Sequence, residues 1–375
     1  MQIENFLDEF GPEKILEVYD AKTGMRGVTI IDNTALGPGK GGIRMTSTVD
    51  IAEVFRLART MTWKCSIAGL PFGGAKSGIK ASPRTLEEKK AVIQAFSKSI
   101  KPICPKHYIA APDINTAEQE MKWFVEANGS WKAATGKPSS LCVKPGEKCG
   151  IPHEYGSTGL GVAYSTLAAV KHCNLDIKNL AVAIEGFGNV GTFAARHLSE
   201  FGARIVAVSD SKGVVYSQEG LDVKKLLDVK ATTGSVINYM PGKALPNKEI
   251  FELGVDIIIP SALPDVINKD NAGRVKSKII VEAANIPMTP EIEQKFHEKG
   301  VLVVPDFVAN AGGVISSYAE YRGYNPKDMF NMVQKKITKN TKHILSKAKK
   351  EKTSPRDAAM EIAVERVRKA MAKRK

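Results

Sequence analysis

Leu180-Ala181-Val182-Ala183-Ile184 is followed by Gly186-Phe187-Gly188-Asn189-Val190-Gly191, and then, after a helical stretch to about Phe201, by Arg204-Ile205-Val206-Ala207-Val208-Ser209-Asp210. The reading is strand, glycine turn, helix, strand, with an acid closing the second strand. GxGxxG in that context is the dinucleotide-binding pattern. Its glycines let the backbone approach a pyrophosphate held at a helix N-terminus. Gly186, Gly188 and Gly191 are therefore candidate cofactor-binding residues, and Asp210 is the candidate ribose partner. Apolar β-type runs at 255–259, 278–281 and 301–304 alternate with helical stretches, as a parallel sheet requires. The predicted fold class of this half is α/β, a Rossmann-type doubly wound sheet.

Upstream lies a second glycine-rich region, residues 37–78. It begins Gly37-Pro38-Gly39-Lys40-Gly41-Gly42-Ile43-Arg44 and ends Pro71-Phe72-Gly73-Gly74-Ala75-Lys76-Ser77-Gly78. Between them, Asp50-Ile51-Ala52-Glu53 opens a helix in capping-box fashion, and Lys64 falls in its last turn. Lys40 and Lys76 are expected in glycine-rich turns. Three lysines gathered this way make an anion pocket, and a crowded or desolvated lysine loses proton affinity and can serve as a base. Asp113 ends the short strand His107–Pro112, a position where loops carry chemistry, and its carboxylate can exchange a proton with a substrate nitrogen. The bland reading of Asp113 is the N-cap of a helix starting near Thr116.

Composition sets outer bounds. A chain of 375 residues is long for one core and reads as two domains. No apolar run is long enough to span a bilayer. The opening Met1-Gln2-Ile3-Glu4-Asn5 lacks the basic-then-apolar order of a secretory signal. Five cysteines, none in a CxxC pair and none with histidine at zinc spacing, read as free thiols in a reducing, cytoplasmic setting with no metal site. The formal charge of +14 is concentrated: residues 331–375 hold 15 Lys and Arg against 4 Asp and Glu. Such a tail could draw nucleic acid or an anionic membrane, but it lacks interleaved aromatics for base stacking. Solvated helix faces are the preferred reading, with no membrane and no nucleic-acid partner.

In chain order, residues 1–18 read as a first helix and Val28–Ile31 as a strand. Residues 129–157, rich in Gly, Pro, Lys and Ser, read as a domain boundary. Residues 1–150 are assigned to an N-terminal α/β substrate-binding and oligomerisation domain. Residues 151–352 are assigned to the dinucleotide-binding domain. A final helix over 353–375, opened by Ser354-Pro355, has an apolar face of Ala359, Ile362, Ala363, Val367 and Ala370 and is expected to dock on the protein.

GPGKGGIRM, MTWKCS and PFGGAKSG closely resemble the glutamate/leucine/phenylalanine/valine dehydrogenase family, and the likeness runs from about Tyr19 to the end. The resemblance implies that the first domain binds the amino acid and the second a nicotinamide cofactor, NAD or NADP. It implies that Lys64 binds the α-carboxylate, that Lys76 activates the attacking water, and that Asp113 shuttles the proton. Asn310 would hold the amino and carboxylate end, while Thr158 and Asn285 would lie on the nicotinamide side. The resemblance also adds Asn189 and Val190 to the three glycines beside the pyrophosphate. Lys40 and Ser317 match the glutamate-specific members, in which both positions meet the γ-carboxylate. The implied activity is reversible oxidative deamination of L-glutamate to 2-oxoglutarate and ammonium by a homo-oligomer, a hexamer. The arginine usual in the family near Glu154 is absent. Two other readings compete: a leucine- or valine-type dehydrogenase, against which Lys40 and Ser317 speak, and a nucleotide-binding regulator, against which Lys64, Lys76 and Asp113 speak. At the cofactor, Asp210 favours NAD modestly, with Ser211 and Lys212 available to a 2′-phosphate, so dual use is expected.

Overall fold

The computed structural model describes residues 7–374. The chain is an α/β protein of two compact units. One comprises Met1–Tyr155, Val314–Met332 and Glu361–Lys375, and the other Gly156–Gly313 and Val333–Met360.

The first unit is built on β1 (Lys14–Asp20), β2 (Met25–Asn33), β3 (Gly39–Thr46), α1 (Ile51–Ile67), β4 (Gly73–Lys80), α2 (Leu86–Ser99), β5 (Tyr108–Pro112) and α3 (Glu118–Asn128), with a small hairpin of β6 (Cys142–Lys144) and β7 (Glu147–Cys149). The five-stranded sheet runs β1-β2-β4-β3-β5. β3 is parallel to both β4 and β5, while β2 is antiparallel to β1 and β4. Alternation along β2 sends Val28 and Ile30 to Val54 and Ala58 of α1, and Met25 and Ile31 to the opposite face with Phe96 of α2 and Phe124 of α3. The Asp50 side chain caps α1 by accepting the Glu53 amide at 2.8 Å.

Three sequence expectations change here. Lys40 and Lys76 lie within strands β3 and β4, not in turns. The glycines serve close packing: a Cβ on Gly74 would stand 2.1 Å from Thr62 Oγ1, so only glycine lets α1 lie this near β4. Residues 14–18 of the expected first helix form part of β1, because pairing with β2 satisfies their backbone; residues 1–6 lie outside the described residues. Cys142 and Cys149 are joined in a disulfide, brought opposite one another by the β6–β7 pairing, and the free thiols are Cys65, Cys104 and Cys173.

The second unit contains α4 (Ser157–His172), β8 (Ala181–Glu185), α5 (Asn189–Glu200), β9 (Arg204–Asp210), β10 (Gly213–Tyr216), α6 (Val223–Thr233), β11 (Lys243–Leu245), β12 (Ile257–Pro260), β13 (Ile279–Val281), α7 (Pro290–Glu298), β14 (Leu302–Val304) and α8 (Asp306–Ala309). Its sheet runs β11-β10-β9-β8-β12-β13-β14. From β9 to β14 the strands are parallel; β10 and β11 add an antiparallel edge. The order reverses between β8 and β12, which makes the carboxyl end of β8 the topological switch point.

Three helices complete the chain: α9 (Gly312–Arg322), α10 (Pro326–Glu351) and α11 (Pro355–Ala372). The basic end of α11 is engaged within the first unit. Arg366 donates to the Ser66 and Ile67 carbonyls at the C-terminus of α1, and the Ser66 hydroxyl donates to the Ala363 carbonyl at 2.8 Å. Among the described residues no helix is long and apolar enough to cross a membrane.

Within the second unit, Arg356 pairs with Glu282, Glu293 and Asp306. One guanidinium faces three carboxylates, and one oxygen each of Glu282 and Glu293 is buried without a partner. Burial, reinforced by the neighbouring acids, raises Glu282 well above the usual carboxylate range; burial also raises Glu293. A raised folded pKa adds stability that is complete below the unfolded value, about 4.3 for glutamate, and is lost as pH climbs through the folded value. The wild-type melting temperature should therefore fall as pH rises above that range, and Glu282→Gln should flatten the fall. Arg356→Met, leaving the acids uncompensated, should cost about 3–5 kcal/mol at neutral pH. An unchanged pH slope in the glutamine variant, measured by thermal unfolding, would contradict this account.

Candidate active site

In the first unit the geometry centres on Asp113, immediately after β5. Its Oδ2 lies 2.8 Å from Lys76 Nζ and 3.1 Å from Arg44 Nε. Arg44 also pairs with Glu53. The approach of Asp113 depends on Gly42, where an added Cβ would stand 2.7 Å from both Asp113 Cβ and the Pro112 carbonyl oxygen. Burial pulls the Asp113 carboxyl upward, but Lys76 and Arg44 outweigh it and hold the group below the usual range. Asp113 is not a helix N-cap: its amide donates to Thr116 Oγ1 at 2.9 Å, and α3 is capped at Ala117. Arg44 was quoted in the sequence motif without a role. It shares the β3 face with Lys40, since the two are an even number of residues apart, and strand alternation was the signal that could have found it.

Lys40 is 1% exposed. Its ammonium donates to the Ala110 carbonyl at 2.7 Å and the Ile109 carbonyl at 3.4 Å, both on β5. Among the described residues no carboxylate is salt-bridged to it. Burial lowers Lys40 to about 7. Lys64 lies in the last turn of α1. Ser317 lies on α9, half-buried, one residue before Tyr318, whose ring packs edge-on against Phe72 at 5.5 Å. Phe72 precedes β4, so that packing ties this part of α9 to the strand carrying Lys76.

In the second unit, Gly186 follows β8 with φ +90°, a conformation that favours glycine. A Cβ on Gly191 would meet the Gly186 carbonyl oxygen at 1.9 Å, whereas one on Gly188 would meet open space. The first turn of α5, which begins at Asn189 and Val190, has no side chain capping it. A diphosphate fits this place: a close-approach glycine, open space beside it, and helix amides that no side chain occupies. α4 comes close, since a Cβ on Gly159 would stand 2.6 Å from the Val190 carbonyl oxygen. Thr158, in the first turn of α4, lies beneath Gly312 and Gly313; a Cβ on Gly313 would reach its Oγ1 at 2.9 Å. Asn310 Nδ2 donates to Asn285 Oδ1 at 2.9 Å and to the Ala283 and Ala284 carbonyls. Its Oδ1 is buried without a partner, an acceptor suited to a ligand N–H.

Asp210, the last residue of β9, is engaged within the unit. Its carboxylate already accepts the Lys212 amide at 2.9 Å, the Val236 amide at 2.8 Å and the Ser235 hydroxyl at 3.1 Å, and it pairs with Lys230 at 3.3 Å. Burial raises this carboxyl, but those donors together lower it further. Ser235 and Lys230 come from around α6, and nothing in the spacing of the motif announces them.

The family models for glutamate/leucine/phenylalanine/valine dehydrogenase and for the dimerisation domain of that family match residues 149–375 and 12–129. The chain belongs to the glutamate/leucine/phenylalanine/valine dehydrogenase family. It is an amino-acid dehydrogenase. It is 42% identical over 358 residues to a glutamate dehydrogenase of Aeropyrum pernix, covering 90% of this chain and 84% of that one. It is 40% identical over 357 residues to an NADP-specific glutamate dehydrogenase of Saccharolobus shibatae, covering 90% and 82%. In structure it is similar to a hetero-hexameric glutamate dehydrogenase of Thermus thermophilus, with a TM-score of 0.84, 28% identity, and 97% and 90% of the two chains covered.

Proposed function

We propose that this dehydrogenase interconverts L-glutamate with 2-oxoglutarate and ammonium, using NAD or NADP. The observation that carries the substrate reading is Lys40: among the described residues this buried amine is hydrogen-bonded by the Ala110 and Ile109 carbonyls and salt-bridged to no carboxylate, so it lacks a counter-charge. Facing an isobutyl side chain it would remain uncompensated, which is costly. A second carboxylate from the substrate supplies the counter-charge and returns the lysine to its ammonium form.

Lys64 takes the α-carboxylate, and Ser317 joins Lys40 at the distal one. Lys76 and Asp113, 2.8 Å apart, form the proton-handling pair. Asp113 exchanges a proton with the substrate nitrogen, and Lys76 orients and polarises the water that attacks the imino carbon. Positioned proton transfer of this kind contributes about 10²–10⁴ in rate. Arg44 keeps the Asp113 carboxylate charged and correctly turned. Asn310 Oδ1 accepts from the substrate or the carboxamide beside Asn285 and Thr158. Gly186, Gly188, Asn189, Val190 and Gly191 hold the pyrophosphate. The nicotinamide ring, when bound, supplies the hydride acceptor.

At the ribose end the carboxylate of Asp210 is engaged by four donors, with Lys212 and Lys230 around it, and so opposes a 2′-phosphate weakly. This supports dual use with NADP at least equal to NAD, in place of the modest NAD preference expected from sequence. We take the chain to work as a homo-oligomer, as its resemblance implies; the match to a dimerisation domain and the hetero-hexameric Thermus thermophilus relative support assembly into an oligomer. We place it in the cytoplasm on the strength of its three free cysteines, although the Cys142–Cys149 bond departs from the all-thiol expectation.

Two measurements test these readings. Lys40→Leu combined with Ser317→Val should move relative kcat/KM from 2-oxoglutarate toward branched 2-oxo acids by about 100-fold or more. An unmoved ratio would remove the glutamate assignment. Asp210→Ser should lower kcat/KM for NAD and NADP by similar factors, because it loosens the turn that both need. A selective gain for NADP would instead make Asp210 the residue that reads the ribose.

A further inference from the structure

Lys137 and Glu320 form an ion pair of 2.6 Å with both side chains fully buried. Lys137 also donates to the Ala134 carbonyl and stands 3.7 Å from the centre of the Trp131 ring. Glu320 Oε2 accepts the Gly136 amide at 2.7 Å and the Ile151 amide at 3.0 Å. These contacts fix the 134–151 segment to α9. On its other side the same segment lies along β5: Ala134 bridges Ala110 in parallel fashion, and the Thr135 amide donates to the Ala110 carbonyl at 3.0 Å. That carbonyl is also the one that holds the Lys40 ammonium. Gly136 abuts Pro112, the residue before Asp113; a Cβ there would stand 2.6 Å from Pro112 Cδ. Glu320 is one helical turn beyond Ser317 on α9, so the two share a face.

A buried ion pair is a weak device for stability, since desolvation consumes most of the attraction. Its location offers another role. We propose that Lys137 and Glu320 are positioning residues for Lys40 and Ser317, fixing the placement and charge environment of the site that takes the second carboxylate of the substrate. The inference rests on the glutamate reading above. The groups acting electrostatically on Lys40 come from α1, β4, α9 and the 134–151 segment. After burial, which lowers it most, Glu320 on α9 draws its proton affinity up, while Lys137 in the 134–151 segment and Lys76 on β4 draw it down; the Cys65 thiol on α1 also faces it. Burial pushes the Cys65 thiol to about 12, so Cys65 is neutral, and Glu320 and Lys137 are the opposing pair.

The test is the pH dependence of glutarate binding to the intact enzyme, followed by calorimetry, with pentanoate as the monocarboxylate control. Wild-type affinity for glutarate should fall on the alkaline side as Lys40 loses its proton. Glu320→Gln should move that limb to lower pH and Lys137→Met to higher pH, each by about 0.5 unit or more. A merely structural pair would weaken binding in both variants without opposite displacements, and that result would overturn the proposal. The double variant K137M/E320Q removes the charges together and guards against misfolding of either single change. It should lose about tenfold in glutarate-over-pentanoate preference. A folded double variant with full preference would equally overturn the proposal. If the wild type itself binds glutarate no better than pentanoate, the glutamate reading fails first, a result separable from the failure of this pair alone.

Discussion

The contact between Lys76 and Asp113 is the interaction on which the first unit is arranged. Two ionised side chains, each largely buried, are stable only if the chain brings them together and supplies further donors. Strand β4 supplies the lysine, the end of β5 supplies the aspartate, and β3 runs between them with Arg44 as the second cation. The parallel β4-β3-β5 order places Lys76, Arg44 and Asp113 on adjacent strands or just beyond them. Removing the glycine at 42 would put side-chain atoms where Asp113 must stand.

Glycine in these strands therefore serves proximity. The usual cost of a strand glycine is flexibility and lost packing. That cost is met because Gly74 admits helix α1 against β4, and Gly42 admits Asp113 against β3. In the second unit the same residue type does different work, with Gly186 in a left-handed turn and Gly191 in contact with its carbonyl. One composition bias thus serves the Lys76–Asp113 contact in one unit and the glycine turn after β8 in the other.

Much of this was legible in the chain. Short apolar, β-branched runs announced β2, β8, β9 and β12, and GxGxxG between two such runs located the glycine turn after β8. Asp113 at a strand end was expected to stand near the lysines and balance their charge, and its contact with Lys76 agrees with that. What escaped sequence reading depends on neighbours far away in the chain. Lys40 and Lys76 looked like turn residues because glycine density mimics a turn signal. The partners that engage Asp210, Ser235, Val236 and Lys230, lie some twenty residues on and no motif spacing announces them. The Cys142–Cys149 bond follows from a short hairpin that carries no CxxC spacing, and the Lys137–Glu320 pair joins positions 183 residues apart.

In the proposed function Lys76 acts at the substrate and takes no part in holding the cofactor. The direct measurement is single-turnover hydride transfer in Lys76→Ala, alongside NADPH binding by fluorescence. Loss of more than about 10³ in rate, roughly 4 kcal/mol of barrier, with unchanged NADPH affinity is the predicted result. Hydride transfer within about tenfold of wild type would contradict it.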